Sequence, residues 1–539
     1  MAGMAGIAAI AGCGSTSTPA GTGRPTLRLA GTDYGFPSPF TYQRGPGYWL
    51  MSYLYDPLLW KDSTGRLLPW LASSYQRSPD GLTYSFQLRP GVHWHDGTPL
   101  TAEDVAFTFD YFGSQTLSPQ IFVRPVGIAS VNATGPLDVE VHLSTPVVTF
   151  ERAVAGALPI VPKHIWSSIP NAFAAQDPKV LVGTGPYRLD SYVRGQGTYL
   201  YSANDNFFLG RPYVKSLQMR PVGDELTALL AGTIDAGSPS VNGASAAVLA
   251  PFTSNRSYDV LKGPEDFTAG LYWNLAKGGA LADVRFRQAC CKAINRADIV
   301  SRLLGGNGSP GNPGFLPPTH TFHVSVPDYA FDPAAANGML DQAGYPRQGS
   351  GGARTAPDGS PLRFSLVVDN NPLLPVVDIV VGSLRAIGVE LTVQPVDTPT
   401  LDARTVKGDY QMALTNFGGL GGDPDYLRQV YSSKAPKRFQ SAQGYANPAF
   451  DALAAQQLVT LDEPKRRQLI DQMQHIVAAD VPLLPLYYPN LFFITKKAIF
   501  DQWYFTPGGF AGGIPTVFNK QAFITGRKTG LAVRPAGHS

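Results

Sequence analysis

The sequence predicts a mixed α/β protein built as two lobes with a cleft between them. Three observations predict it. The chain has 539 residues, more than one ordinary core holds, so it divides into two or three folding units. Arg363 to Val368 and Val389 to Gln394 read as strands, and a helical stretch from Pro375 to Ile387, ended by Gly388, lies between them. Such a β-α-β unit implies a parallel pair. Finally, β-rich material lies mainly before residue 270 and α/β units follow it, an arrangement that packs naturally as two bodies around a cleft.

The elements follow in order. Thr26 to Leu29 is a first strand. Thr83 to Leu88 alternates apolar and polar residues between Asp80-Gly81 and Pro90-Gly91, the pattern of a half-buried strand. Thr101-Ala-Glu-Asp104 approximates a capping box, with Val105, Phe109 and Phe112 following at helical spacing. Asp283 to Leu304 reads as one helix stopped by Gly305-Gly306. Ser350 to Pro361 is a Gly- and Pro-rich exposed loop. Asn447-Pro448 caps and opens a helix carrying Phe450, Leu453, Leu458 and Leu461. Pro464 opens another, with Leu469, Met473, Ile476 and Val477 on one face and Pro482 and Pro485 ending it.

Composition excludes several functions. The hydrophobic fraction of 44% and charged fraction of 15% belong to a globular chain. A net charge of +3 without a clustered basic face argues against a nucleic-acid partner. Lys465-Arg466-Arg467 and Lys496-Lys497 read as a solvated helix face and a strand end. The three cysteines are Cys13, Cys290 and Cys291. They make no disulfide framework, and the adjacent pair reads as ordinary buried thiols.

Cys13 ends an apolar run of small residues, and Ile10-Ala-Gly-Cys13 resembles a bacterial lipobox. Residues 1–13 are then a signal peptide, Cys13 the lipid attachment site and residues 14–25 a flexible tether. No Lys or Arg precedes the run, and an unstructured Ala/Gly tail with an incidental cysteine is the alternative. Nothing later reaches the ~18 apolar residues of a membrane span. The body is therefore expected on the outer face of the cell membrane, held there by lipid.

Motifs of chemistry are weak. Gly306-Asn-Gly-Ser-Pro-Gly311 fits a dinucleotide pattern but follows a helix rather than a strand. Gly243-Ala-Ser-Ala-Ala247 lacks the second glycine of a nucleophile elbow. His93, His95 and Asp96 offer no third or fourth metal ligand at a useful spacing. Asp423 and Asp425 invite an acid/base reading, but their spacing does not set their separation. No catalytic residue, metal or cofactor is expected.

Several strings carry a resemblance. Tyr53 to Trp60, Leu68-Pro-Trp-Leu-Ala72, Ser78 to Pro99, Thr101 to Val105, Gly183-Thr-Gly-Pro-Tyr187, Asp283 to Ala289 with Ala293-Ile-Asn-Arg296, Gly422-Asp-Pro-Asp-Tyr426, Tyr445 to Leu453 and Ala479 to Tyr487 follow one another along the chain. In that order they resemble the extracytoplasmic solute-binding proteins of family 5, the oligopeptide, dipeptide and nickel receptors of ABC importers. The resemblance implies a periplasmic-binding-protein-like fold of cluster C type, with an extra subdomain in lobe I. Lobe I would comprise 26–270 plus 500–539, and lobe II 271–499. The lobes would close on a peptide or peptide-like small solute, and the monomer would dock on membrane permease subunits. A ligand-presenting sensor, or a receptor for an oligosaccharide or other non-peptide solute, is the alternative function.

The resemblance also marks a departure. Peptide receptors of this family carry an Asp, three positions before the Asp-Pro block, that pairs with the peptide's ammonium. Here Leu420 stands there, inside Phe417-Gly-Gly-Leu-Gly-Gly422, and a leucine cannot compensate a buried ammonium. Either Asp423, Asp425 or another acid supplies the charge, or the solute has no free amino terminus there. Tyr34, Phe36, Tyr272, Trp273, Asn274, Asn416 and Phe417 complete the candidate ligand-binding set, each equally readable as core packing.

Overall fold

The computed structural model describes residues 23–527, apart from 118–120, 122, 126, 240–242, 348, 350–351, 370–373, 512 and 514–515. Cys13, the run before it and most of the tether lie outside the described residues. Two large sheets organise the rest. A seven-stranded sheet has the order Tyr258–Lys262, Phe492–Lys496, Ala236–Gly237, Thr26–Ala30, Ser216–Arg220, Thr198–Ala203 and Tyr187–Val193. A six-stranded sheet has the order Gly308–Pro310, Leu483–Pro489, Phe267–Trp273, Met412–Gly418, Arg363–Asp369 and Glu390–Val396.

A third, four-stranded antiparallel sheet, Ala72–Arg77, Thr83–Leu88, Asp138–Leu143 and Ile128–Ala133, is the additional piece of the first lobe. Its inward residues Tyr84, Phe86, Val139 and Val141 share one apolar core with Leu27, Leu29, Tyr199 and Leu217 of the seven-stranded sheet. Helix Ala102–Ser114 covers it. The Thr101 amide donates to Asp104 Oδ2 at 2.9 Å, so the side chain three residues on satisfies an amide that the helix leaves free.

The β-α-β unit is present. Arg363–Asp369 and Glu390–Val396 pair in parallel, and helix Leu374–Ala386 joins them. Cys290 and Cys291 are free and buried in helix Val284–Ala293, and burial raises both thiols above their ordinary range.

Three sequence expectations change. The helix expected over Asp283 to Leu304 is two helices, Val284–Ala293 and Arg296–Leu304. Asn295 breaks it by taking the N-cap position, its side chain accepting from the Asp298 amide at 3.0 Å. The long helix Glu463–Asp480 ends before Pro482, and Pro485 lies inside strand Leu483–Pro489. The basic triplet is only partly a solvated face: Lys465 and Arg467 are exposed, Arg467 lying 4.2 Å above the Phe322 ring, but Arg466 is buried.

The chain passes between the two large sheets twice. It leaves the seven-stranded sheet after Lys262, enters the other at Phe267, and returns between Pro489 and Phe492. These crossings fall a few residues before the divisions expected at 270/271 and 499/500. They also run side by side, because the Gly263 amide donates to the Leu491 carbonyl at 2.7 Å.

Candidate functional site

Several of the strings that carry the resemblance hold the fold together. Asp56 and Lys520 form an ion pair at 2.5 Å with neither side chain exposed. Trp70 Nε1 donates to Asp56 Oδ1 at 2.6 Å and Thr184 Oγ1 to Oδ2 at 2.7 Å. The Lys520 ammonium also donates to the Ser52 and Tyr55 carbonyls, at 3.0 and 2.9 Å, and lies 4.3 Å from the Trp60 ring. Residues from four distant strings thus close one saturated network. His95 belongs beside it. Its Nδ1 accepts from the Gly183 amide at 3.3 Å, so the proton sits on Nε2, which donates to the Gly185 carbonyl at 2.9 Å. Burial pushes its pKa down to about 4, so it is a neutral strut.

The second lobe repeats the pattern. Buried Arg287 donates to the carbonyls of Leu281 at 2.9 Å and Val481 at 3.0 Å. Tyr445 Oη and Asn447 Nδ2 both donate to Asp480 Oδ2, at 2.7 and 2.9 Å.

Of the sequence candidates, Phe36 is in the core of the first lobe, tilted against Tyr192. Tyr34 is half-buried, its amide donating to Tyr199 Oη at 3.0 Å. Tyr272, Phe417 and Leu420 share one apolar cluster of the second lobe and Trp273 lies in another. Asn274 caps a short turn, its side chain accepting from the Ala276 amide at 3.2 Å and donating to the Gly408 and Tyr410 carbonyls at 3.0 and 2.9 Å. Asn416 is half-buried, opposite Ala269 across the ladder. Asp423 receives both nitrogens of the Arg466 fork, at 3.0 and 2.5 Å. Asp425 receives the Arg428 fork at 2.7 Å on each oxygen, and Gln457 Nε2 at 2.5 Å. The structure therefore brings Asn416, Phe417, Leu420, Asp423 and Asp425 onto one strand and the loop after it, and commits both carboxylates to arginines.

That loop meets the first crossing segment and the end of the chain. The Gly419 and Leu420 amides donate to the Asp266 carbonyl at 3.1 and 3.2 Å. At Gly421 a Cβ would stand 2.0 Å from Asp266 Oδ1, so the loop backbone lies directly on that carboxylate. Glycine is required at 513, which has φ +87° and where a Cβ would stand 2.6 Å from the Gly419 carbonyl oxygen. From the first lobe, Lys61 Nζ donates to the Gly508 and Gly509 carbonyls, at 3.0 and 2.5 Å. Burial pushes Lys61 down to about 7 and Asp266 up to about 7. His320 Nε2 donates to the Gly422 carbonyl at 3.1 Å, and its Nδ1 accepts from the Phe322 amide at 3.0 Å. Burial lowers its pKa as well.

Lys61 and Asp266 were not among the sequence candidates. Their signals were present: a lysine ending the apolar run Leu58-Leu-Trp, and the acid pair Glu265-Asp266 directly before an apolar strand. Among the described residues no group of three or more His, Cys, Asp or Glu is placed to hold a metal ion, and no helix is long and apolar enough to cross a membrane. An open hollow of about 330 Å³ lined by Arg28, Gln218 and Arg220 lies at the seven-stranded sheet and contains none of the candidate residues.

Two α/β lobes, joined by a pair of adjacent crossing segments and meeting at a buried polar junction, define a two-lobed solute-binding protein. The chain belongs to the bacterial extracellular solute-binding proteins, family 5, whose middle region matches residues 66–439. It is 29% identical over 386 residues to a Brucella ovis protein provisionally named an ABC transporter peptide-binding protein, with 70% of each chain covered. It is 27% identical over 442 residues to the oligopeptide-binding protein AppA of Bacillus subtilis, covering 78% of each. The solved structure of that AppA superposes with a TM-score of 0.74, over 93% of this chain and 98% of the other at 22% identity. The structure of NikA from Brucella suis gives a TM-score of 0.76, over 92% of this chain and 100% of that one at 20% identity. The protein is thus an extracytoplasmic substrate-binding component of an ABC importer, and not an enzyme.

Proposed function

We propose that the protein is a lipid-anchored receptor that captures peptides or peptide-like solutes between its lobes by hinge closure and hands them to the importer's permease subunits. The observation that carries this reading is the pair of crossings at 263–266 and 490–491, hydrogen-bonded to each other. Two short adjacent connections are where a rotation between rigid lobes costs least. We take lobes I and II as drawn from the sequence, with their bounds moved to these crossings. Tyr34 and Asn416, which keep some exposed surface, are the proposed solute contacts. Peptides are favoured because AppA, similar in sequence and fold, is an oligopeptide-binding protein solved with a nonapeptide.

Native mass spectrometry of the protein purified from its own cells is the direct test. A co-purified mass that fragments as a peptide, recovered unaltered, supports the reading; a sugar or metal chelate overturns the peptide assignment. The same spectra should show a monomer. Anchoring through Cys13 predicts labelling by radioactive palmitate that is lost in Cys13→Ser; equal labelling of both chains overturns it.

A further inference from the structure

Glu265, Asp266, Asp423 and Asp425 stand on the two segments that meet at the buried polar junction, and three of them are engaged. Glu265 accepts from Ser309 Oγ at 2.7 Å. Asp423 and Asp425 are held by the forks of Arg466 and Arg428. Asp266 differs. Its side chain belongs to a residue only 3% exposed, and its Oδ2 has no hydrogen-bond partner among the described residues. The ammonium of Lys61 is spent on the carbonyls of Gly508 and Gly509 and acts on Asp266 only through space. A buried carboxylate with no partner is destabilising. It is retained in folded proteins where a proton or a cation completes it.

Its position says which cation. Asp266 is on the first crossing segment, with Gly421 of the second lobe against its carboxylate and the first-lobe chain around Gly508 and Gly513 lying over Gly419–Gly422 as an outer cover. A Cβ on Gly508 would lie 3.3 Å from the Gly421 carbonyl oxygen, so these two covers touch one another. Parting the lobes separates the covers and opens the carboxylate; closing them removes water from whatever it holds. A cation paired there is worth most in the closed form, which is the differential affinity that drives closure. We propose that Asp266 is the acidic anchor for a protonated amine on the solute, in a binding protein whose glycine loop presents the uncharged Leu420. This rests on the peptide-receptor reading above. Burial pushes the free carboxyl up to about 7, so an arriving ammonium displaces its proton into solvent near neutral pH.

Calorimetric titration of the whole protein with trialanine and with N-acetyl-trialanine tests this, at pH 6.5 in two buffers of unlike ionisation enthalpy. Wild type should bind trialanine with net proton release. Asp266→Asn should bind it about ten- to a hundredfold more weakly, with no proton release. The acetylated probe should bind both chains alike and weakly. An Asp266→Asn chain that binds trialanine as tightly as wild type overturns the proposal. So does a variant that melts below wild type without probe, since that assigns the carboxylate to the fold. Wild type that binds neither probe overturns the peptide reading itself, an outcome distinct from a failure confined to the variant.

Discussion

The molecule contains two buried neighbourhoods of one aspartate and one lysine, and they differ in completeness. Around Asp56 and Lys520 every strong donor meets an acceptor: two carbonyls and a carboxylate take the ammonium, while a tryptophan and a threonine finish the carboxylate. Around Asp266 and Lys61 the ammonium is satisfied by carbonyls, and one carboxylate oxygen has no hydrogen-bond partner among the described residues. Burial lowers the pKa of both lysines, so desolvation alone does not separate them. Partner count does. A saturated network inside one lobe locks distant segments together, whereas an unsaturated group between two lobes is held for something else.

Removing one partner from each network should widen the contrast. Lys520→Met leaves Asp56 enclosed without its cation, and should cost about 3–5 kcal/mol of unfolding free energy in urea; a loss under 1 kcal/mol would mean the network is not what holds the segment around Lys520. Arg466 also donates to Oε1 of buried Gln457 at 3.1 and 2.9 Å, but its carboxylate partner Asp423 keeps 20% of its side chain exposed, so Arg466→Ala should cost less, about 2–3 kcal/mol.

Asp266→Asn should behave in the opposite sense, raising stability near pH 7.5 by about 1 kcal/mol or more. Its folded pKa of about 7 lies above the unfolded 3.8, so the folded state binds more protons between these values and stability falls as pH rises through that window. His95 has the reverse sign: its folded pKa of about 4 lies below 6.5, so stability falls as pH drops from 6.5 toward 4. Asp266→Asn therefore removes an opposing slope, and the variant should lose more stability than wild type between pH 7 and pH 4.5. Parallel melting curves across that range would contradict the assignment.

The smallest effect belongs to Arg44, which reaches from the first lobe to Asp402 of the second at 2.8 Å with a side chain 43% exposed. Arg44→Ala should change stability by under about 1 kcal/mol, and any change should vanish in 1 M salt.

Much of the fold was legible because its signals are local. Strand Thr26–Ala30, the Thr101 and Asn447 caps and the parallel pair around Leu374–Ala386 depend on residues a few positions apart. Asn295 was missed because apolar spacing continues on both sides of it, although asparagine is itself a cap signal. Arg466 was misread because a basic triplet in a helix usually faces water; Asp423, which buries it, lies 43 residues away in the chain. Among the site candidates, Phe36, Tyr272, Trp273 and Phe417 are aromatic residues equally readable as core or cleft, Leu420 comes from the family position, and the fold puts all five in apolar cores.

The sequence by itself determined the local elements, the family and the absence of charge at Leu420, since each is a matter of residue identity or short spacing. Only the tertiary structure decided which charges are spoken for. Asp56 finds Lys520 across 464 residues, and Asp266 meets the backbone of Gly421 and the charge of Lys61 from two remote parts of the chain. Charge pairing acts over a few ångströms of space, and no pattern read along the chain supplies that distance.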